Sequence, residues 1–101
     1  MVLNELRELR LGFVHGLASR YQRIDRALVT KSLFDLYKEI HNLAGAAGAY
    51  QFEELGQQAL QLDALLRVQL NKVDSETVDW VPITQEVQVV LTLTQQAIKG
   101  Q

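Results

Sequence analysis

Cysteine is absent from this 101-residue chain, proline occurs once and histidine twice. Without cysteine there are no disulfides and no thiolate metal ligands, which suits a cytoplasmic setting. Two histidines at no metal-binding spacing leave no basis for a zinc site, so neither metal nor cofactor is expected. No apolar run approaches the roughly 20 residues that cross a bilayer. The first ten residues, with Glu5, Arg7, Glu8 and Arg10, lack the pattern of a signal peptide. Charge is not biased either: the net value of −2 offers no basic face for nucleic acid. Familiar catalytic signatures are missing too, namely a Gly-x-x-x-x-Gly-Lys loop, His-Glu-x-x-His and Gly-x-Ser-x-Gly. Ser19, Ser32 and Ser75 have no histidine at obvious spacing. What remains is 48% hydrophobic and 22% charged, the balance of an ordinary globular protein, and a length that suits one domain over residues 1–101.

Apolar residues recur at threes and fours in four blocks, the period of amphipathic helices. In the first, residues 3–28, Leu6, Leu9, Phe13, Leu17, Ile24 and Leu28 alternate with arginines. Gly12 and Gly16 weaken it, so a kink or break is expected near residues 12–19. His15, between them, reads as a surface histidine. Thr30 or Ser32 can cap a second helix over residues 32–50. A short turn at residues 50–52 leads to a third helix over residues 53–70, whose Glu53 and Glu54 complement the positive end of its dipole. Leu55, Gln58, Ala59, Leu62 and Leu66 line its inner side, with Gly56, Asp63 and Arg67 as a flanking ridge beside the core. Residues 71–79 read as the longest loop. Pro82 suits the first turn of a last helix, carried by Ile83, Val87, Val90, Leu91, Thr94 and Ile98, with Trp80 plugging that end of the bundle.

The second helix is the chemically distinctive one. At about 100° per residue, Leu33, Leu36, Ile40, Leu43, Ala47 and Tyr50 share one buried side, and His41 projects well away from it. Ala44, Gly45 and Gly48 fall on the histidine's side, where a solvated helix would carry Lys, Glu or Gln. Glycine inside a helix costs roughly 1 kcal/mol, so two of them beside an outward imidazole suggest that something large comes close. In the plainer reading the glycines are helix–helix contact points and His41 is an ordinary surface residue. Phe34 and Tyr37 lie near the same side, either as an apolar docking rim or packed on the first helix. Lys38 is the cation nearest to His41 in sequence.

The pattern His41-x-Leu43-x-Gly45-x-Ala47, followed by Leu55 and then Leu62-Asp63, resembles the signature of histidine-containing phosphotransfer (HPt) domains. The resemblance departs at two places. The family's lysine three residues after the histidine is Ala44, and the glycine ten residues after it is Gln51. The first removes a cation that steadies a phosphorylated imidazole, and Lys38 is the nearest substitute.

The fold that follows is all-α, an antiparallel up-down-up-down four-helix bundle with the first helix broken or kinked. The resemblance implies that His41 accepts a phosphoryl group from an aspartate on a response-regulator receiver domain and passes it to another, with a hybrid sensor histidine kinase as a further partner. It also implies that the metal ion and lysine for that chemistry belong to the receiver, which makes this chain a carrier and not an enzyme. If the third helix runs antiparallel to the second, Asp63 can accept an imidazole N–H and Arg67 can approach a phosphoryl group; an ordinary surface ion pair is the other reading of those two. Two competing functions stay open: a degenerate module that binds a receiver or other regulator without accepting phosphate, and a structural bundle self-associating through Gly45 and Gly48.

Overall fold

The structure, a computed structural model, describes residues 2–72 and 77–100, with side chains from Glu5 onward. Four helices make up the described chain: α1 Val2–Val29, α2 Leu33–Ala49, α3 Glu53–Leu70 and α4 Trp80–Lys99. The loop expected over residues 71–79 falls in part on residues 73–76, and with them Ser75, which lie outside the described residues. No described helix is long and apolar enough to cross a membrane.

Short joints force α1, α2 and α3 antiparallel in turn, and side-chain meetings set α4 antiparallel to α1 and α3. The Lys31 ammonium, just after α1, lies 5.2 Å over the ring of Trp80 at the start of α4. Glu53 and Glu54 open α3 in a groove shared with Gln96 and Ala97 near the end of α4. Close backbone approaches link α1 with α2, α2 with α3, α3 with α4, and α4 back to α1, and among the described residues there are none between the diagonal pairs. This is a closed up-down-up-down bundle around a core in which Leu17, Ile24, Leu36, Ile40, Leu43, Leu62, Leu66, Ile83, Val87 and Val90 are fully buried.

The break expected in the first helix is not there: α1 runs unbroken through Gly12 and Gly16. Each glycine costs about 1 kcal/mol of helix propensity, but Phe13, Val14 and Leu17 are buried on the same turns. At about 1.5–3 kcal/mol per buried apolar side chain, packing outweighs the local preference. Ser32 does occupy the N-cap of α2, although its hydroxyl gives the helix no cap hydrogen bond and donates to Asp35 Oδ2 at 2.8 Å. Thr30 turns back to the Arg26 carbonyl. Trp80 is half-buried against the core at the end it was expected to plug, and Pro82 sits in the first turn of α4. Arg10, unforeseen, donates from Nε to the Tyr50 carbonyl at 2.9 Å and lays its guanidinium 4.7 Å over Phe52, clamping α1 to the α2–α3 joint.

Candidate functional site

His41 and Asp63 each lie eleven residues from Phe52, the residue that caps α3, and Gly48 and Gly56 each lie four from it. Antiparallel helices with equal rise must bring such pairs level. They do so closely, because Gly56 has no side chain: a Cβ there would stand 3.3 Å from the Gly48 backbone nitrogen. The seam that results sets the burial of everything beside His41.

The His41 side chain is 57% exposed, and its Nδ1 lies 3.0 Å from Oδ1 of Asp63. Asp63 itself is only 5% exposed. Its other oxygen, Oδ2, accepts from Nη2 of Arg67 at 2.9 Å, one turn along α3. A carboxylate can only accept, so the proton of the neutral ring sits on Nδ1 and Nε2 keeps its lone pair. The Tyr37 ring stacks on the imidazole, centroids 5.5 Å apart at 24°. Orientation is thereby set from α2 by an aromatic face and from α3 by a buried carboxylate.

Around the imidazole, Phe34 is 59% exposed rather than packed on α1. The Lys38 ammonium lies 5.6 Å from the Phe34 centroid, toward the start of α2. Gly45 and Gly48 are exposed, and a Cβ at either would meet nothing within 4 Å. Their own side-chain positions are therefore open surface, although the Gly48 backbone also forms one side of the close helix contact with Gly56. Ala44 was expected beside them on the open face, but it is buried, at 6% exposure. It lies about 60° from His41 toward the buried stripe, and the tight seam covers it. Of the α3 ridge expected beside the core, Arg67 is exposed, while Gly56 and Asp63 are buried.

Sequence reasoning passed over Leu60. It is 54% exposed, and as a neighbour of Gly56 and Asp63 at four and three residues it shares their side of α3. The signal was present, since Leu60 falls outside the inner stripe of Leu55, Ala59, Leu62 and Leu66. Among the described residues no group of three or more His, Cys, Asp or Glu side chains forms a metal site. The recess between α1 and α2, lined by Arg23, Arg26, Thr30, Asp35 and Glu39 with a volume of about 330 Å³, opens on the other flank of α2.

The family model described as Hpt domain matches residues 8–99, nearly the whole chain. No curated protein and no solved structure matches it.

Proposed function

From a chain that belongs to the Hpt domain family, we propose a phosphorelay intermediate in which His41 takes a phosphoryl group from the aspartyl phosphate of one receiver domain and yields it to the aspartate of another. Membership itself carries a histidine phosphotransfer role in two-component signalling, as a phosphocarrier module and not a catalyst. The observation that supports His41 is its ring: exposed, stacked on Tyr37, and within hydrogen-bond distance of a buried carboxylate through Nδ1, an arrangement that assigns the lone pair of the neutral ring to Nε2. In the transfer, Nε2 attacks phosphorus, the phosphorus–oxygen bond to the aspartyl carboxylate breaks, and that carboxylate leaves with the electron pair. The ring then bears a phosphoryl group on Nε2 and a proton on Nδ1, and Asp63 stabilises the positive charge shared over the ring. Onward transfer reverses these steps with a second carboxylate. Exposed Phe34 and Leu60 and the side-chain-free backbone at Gly45 and Gly48 supply an apolar, low-relief surface of the kind a docking protein covers. The setting proposed is cytoplasmic, with receiver domains and a hybrid sensor kinase as partners.

Incubation with a phosphorylated receiver domain is expected to label the wild type with acid-labile phosphate and to leave His41→Gln unlabelled. Equal labelling of the two would overturn the assignment. Ala44, standing where the family's lysine would be, favours one alternative, a module that binds a receiver without accepting phosphate. Receiver binding unchanged in His41→Ala, with no acid-labile phosphate on the wild type, is the result that would favour it.

A further inference from the structure

Burying a carboxylate in a helix seam is costly unless both oxygens are satisfied. Asp63 meets that condition with two partners of different kinds: the Nδ1–H of His41 on Oδ1 and the guanidinium of Arg67 on Oδ2. Remove the second, and no other hydrogen bond among the described residues fixes which oxygen, or which rotamer, faces the ring. The Arg67–Asp63 pair is therefore unlike a solvated i, i+4 pair, which contributes only a few tenths of a kcal/mol, because one of its members is enclosed. Lys38 does not duplicate it, since its ammonium is engaged over Phe34, and the third candidate position for a cation is occupied by Ala44.

We propose that Arg67 is a positioning residue that acts through Asp63: by holding the carboxylate with Oδ1 toward His41, it keeps the ring in the tautomer that leaves Nε2 bare. The kinetic consequence rests on His41 being the phosphoacceptor; the tautomeric consequence does not. Outer partners that orient a metal-ligating histidine through its second nitrogen change affinity or activity by about 10–100-fold when removed; Arg67 acts one link further out, through Asp63, so an effect at the lower end, about tenfold, is expected here.

Two measurements on the full chain test this. Nitrogen-15 NMR of the free protein reads the His41 ring directly. The wild type is expected to show a protonated Nδ1 and an unprotonated Nε2, Arg67→Ala a mixture of both tautomers, and Arg67→Lys, which keeps a cation on α3, a return toward the wild-type pattern. The amide region of the same spectra shows whether each variant is folded, and Arg67→Gln replaces the alanine variant if that one is not. The second measurement uses potassium phosphoramidate, whose phosphorus–nitrogen bond breaks as the new bond to the ring nitrogen forms, releasing ammonia. Wild type is expected to give Nε2-phosphohistidine, Arg67→Ala to react roughly tenfold more slowly with Nδ1 product appearing, and Arg67→Lys to recover most of the rate. A tautomer and a rate both untouched in Arg67→Ala would overturn the proposal and leave Arg67 as a surface ion pair. A wild type that stays unlabelled while its tautomer still responds to Arg67 would sustain the positioning role and remove the phosphoacceptor reading instead.

Discussion

Gly48 and Gly56 stand level across the α2–α3 seam, yet a methyl group has opposite consequences at the two. At Gly48 the new Cβ enters open space, as it does at Gly45. Both are exposed helical glycines, so Gly45→Ala, one turn inside α2, is expected to raise unfolding free energy by about 1 kcal/mol, and Gly48→Ala, one residue from the end of α2, by less. At Gly56 a Cβ meets the Gly48 nitrogen at 3.3 Å, its Cα at 3.6 Å and the Ala47 methyl at 3.7 Å. Those are mostly backbone atoms that cannot rotate away, so Gly56→Leu is expected to lose about 1–3 kcal/mol by overpacking. It should also weaken the hydrogen bond between His41 and Asp63, because the seam that sets their distance is prised apart. Urea titrations of the three variants check the signs. A destabilising Gly48→Ala would mean that its face is already covered by the protein itself, leaving no room for a visitor. Bulk added on that face has a separate use: Gly45→Leu should be at least as stable as the wild type, since leucine nearly matches alanine in helix propensity and meets open space, while lowering transfer from a phosphorylated receiver.

Helix ends carry the next level of information. Both α1 and α2 finish in the same hydrogen-bonded motif: Ser32 N–H bonds the Ala27 carbonyl and Lys31 N–H that of Leu28, while Phe52 N–H bonds Ala47 and Gln51 N–H bonds Gly48. The residue that turns the chain in each case adopts left-handed backbone, Lys31 at φ 53° and Gln51 at φ 66°. Side-chain-bearing residues pay roughly 1–2 kcal/mol for that region, and glycine does not. Gln51 is also where the HPt pattern carries its glycine, so the departure noted in the sequence is a turn residue and not a site residue. Gln51→Gly is expected to stabilise the chain by about 1 kcal/mol. Lys31→Gly should gain less, since it gives up the ammonium over Trp80, a contact of about 0.5–1 kcal/mol when exposed. Thermal melts of the two variants side by side check the order. The four elements were legible because apolar spacing is a local property, and α3 begins and ends where that spacing said. The level pairing of His41 with Asp63 was legible for a related reason: a short joint and a fixed rise leave no freedom in register. Burial at Ala44 was not, because it depends on how near α3 comes, which Gly56 decides from another helix. The continuity of α1 through its glycines and the Arg10 clamp were hidden for the same cause, both being settled by packing between distant segments.

At the scale of the whole molecule the bundle is uneven. With 28 residues α1 is about 42 Å long at 1.5 Å per residue, against about 25–30 Å for its three partners, and the molecule measures 53 × 20 × 18 Å. Since Arg10 already reaches the carbonyl of Tyr50, just past the end of α2, the residues before it overhang the other helices. Leu9 is exposed accordingly, whereas Leu17 and Ile24 further along are sealed. The family match begins at residue 8, close to where the overhang meets the bundle. A chain starting at residue 8 is therefore expected to unfold cooperatively within about 0.5 kcal/mol of the wild type, as changes away from packed features do. Arg10→Ala, which alters one side chain but strips a charged hydrogen bond and a stacking contact from the α2–α3 joint, should cost more, about 1.5–3 kcal/mol. Urea unfolding followed by helical circular dichroism separates the two. The truncation should leave the midpoint nearly in place, and the substitution should move it down with an unchanged slope. The reverse order would mean that the first two turns of α1 are packed into the fold. Because His41 is positioned by Tyr37, Asp63 and Arg67 on α2 and α3, the shortened chain should also accept phosphate at the wild-type rate.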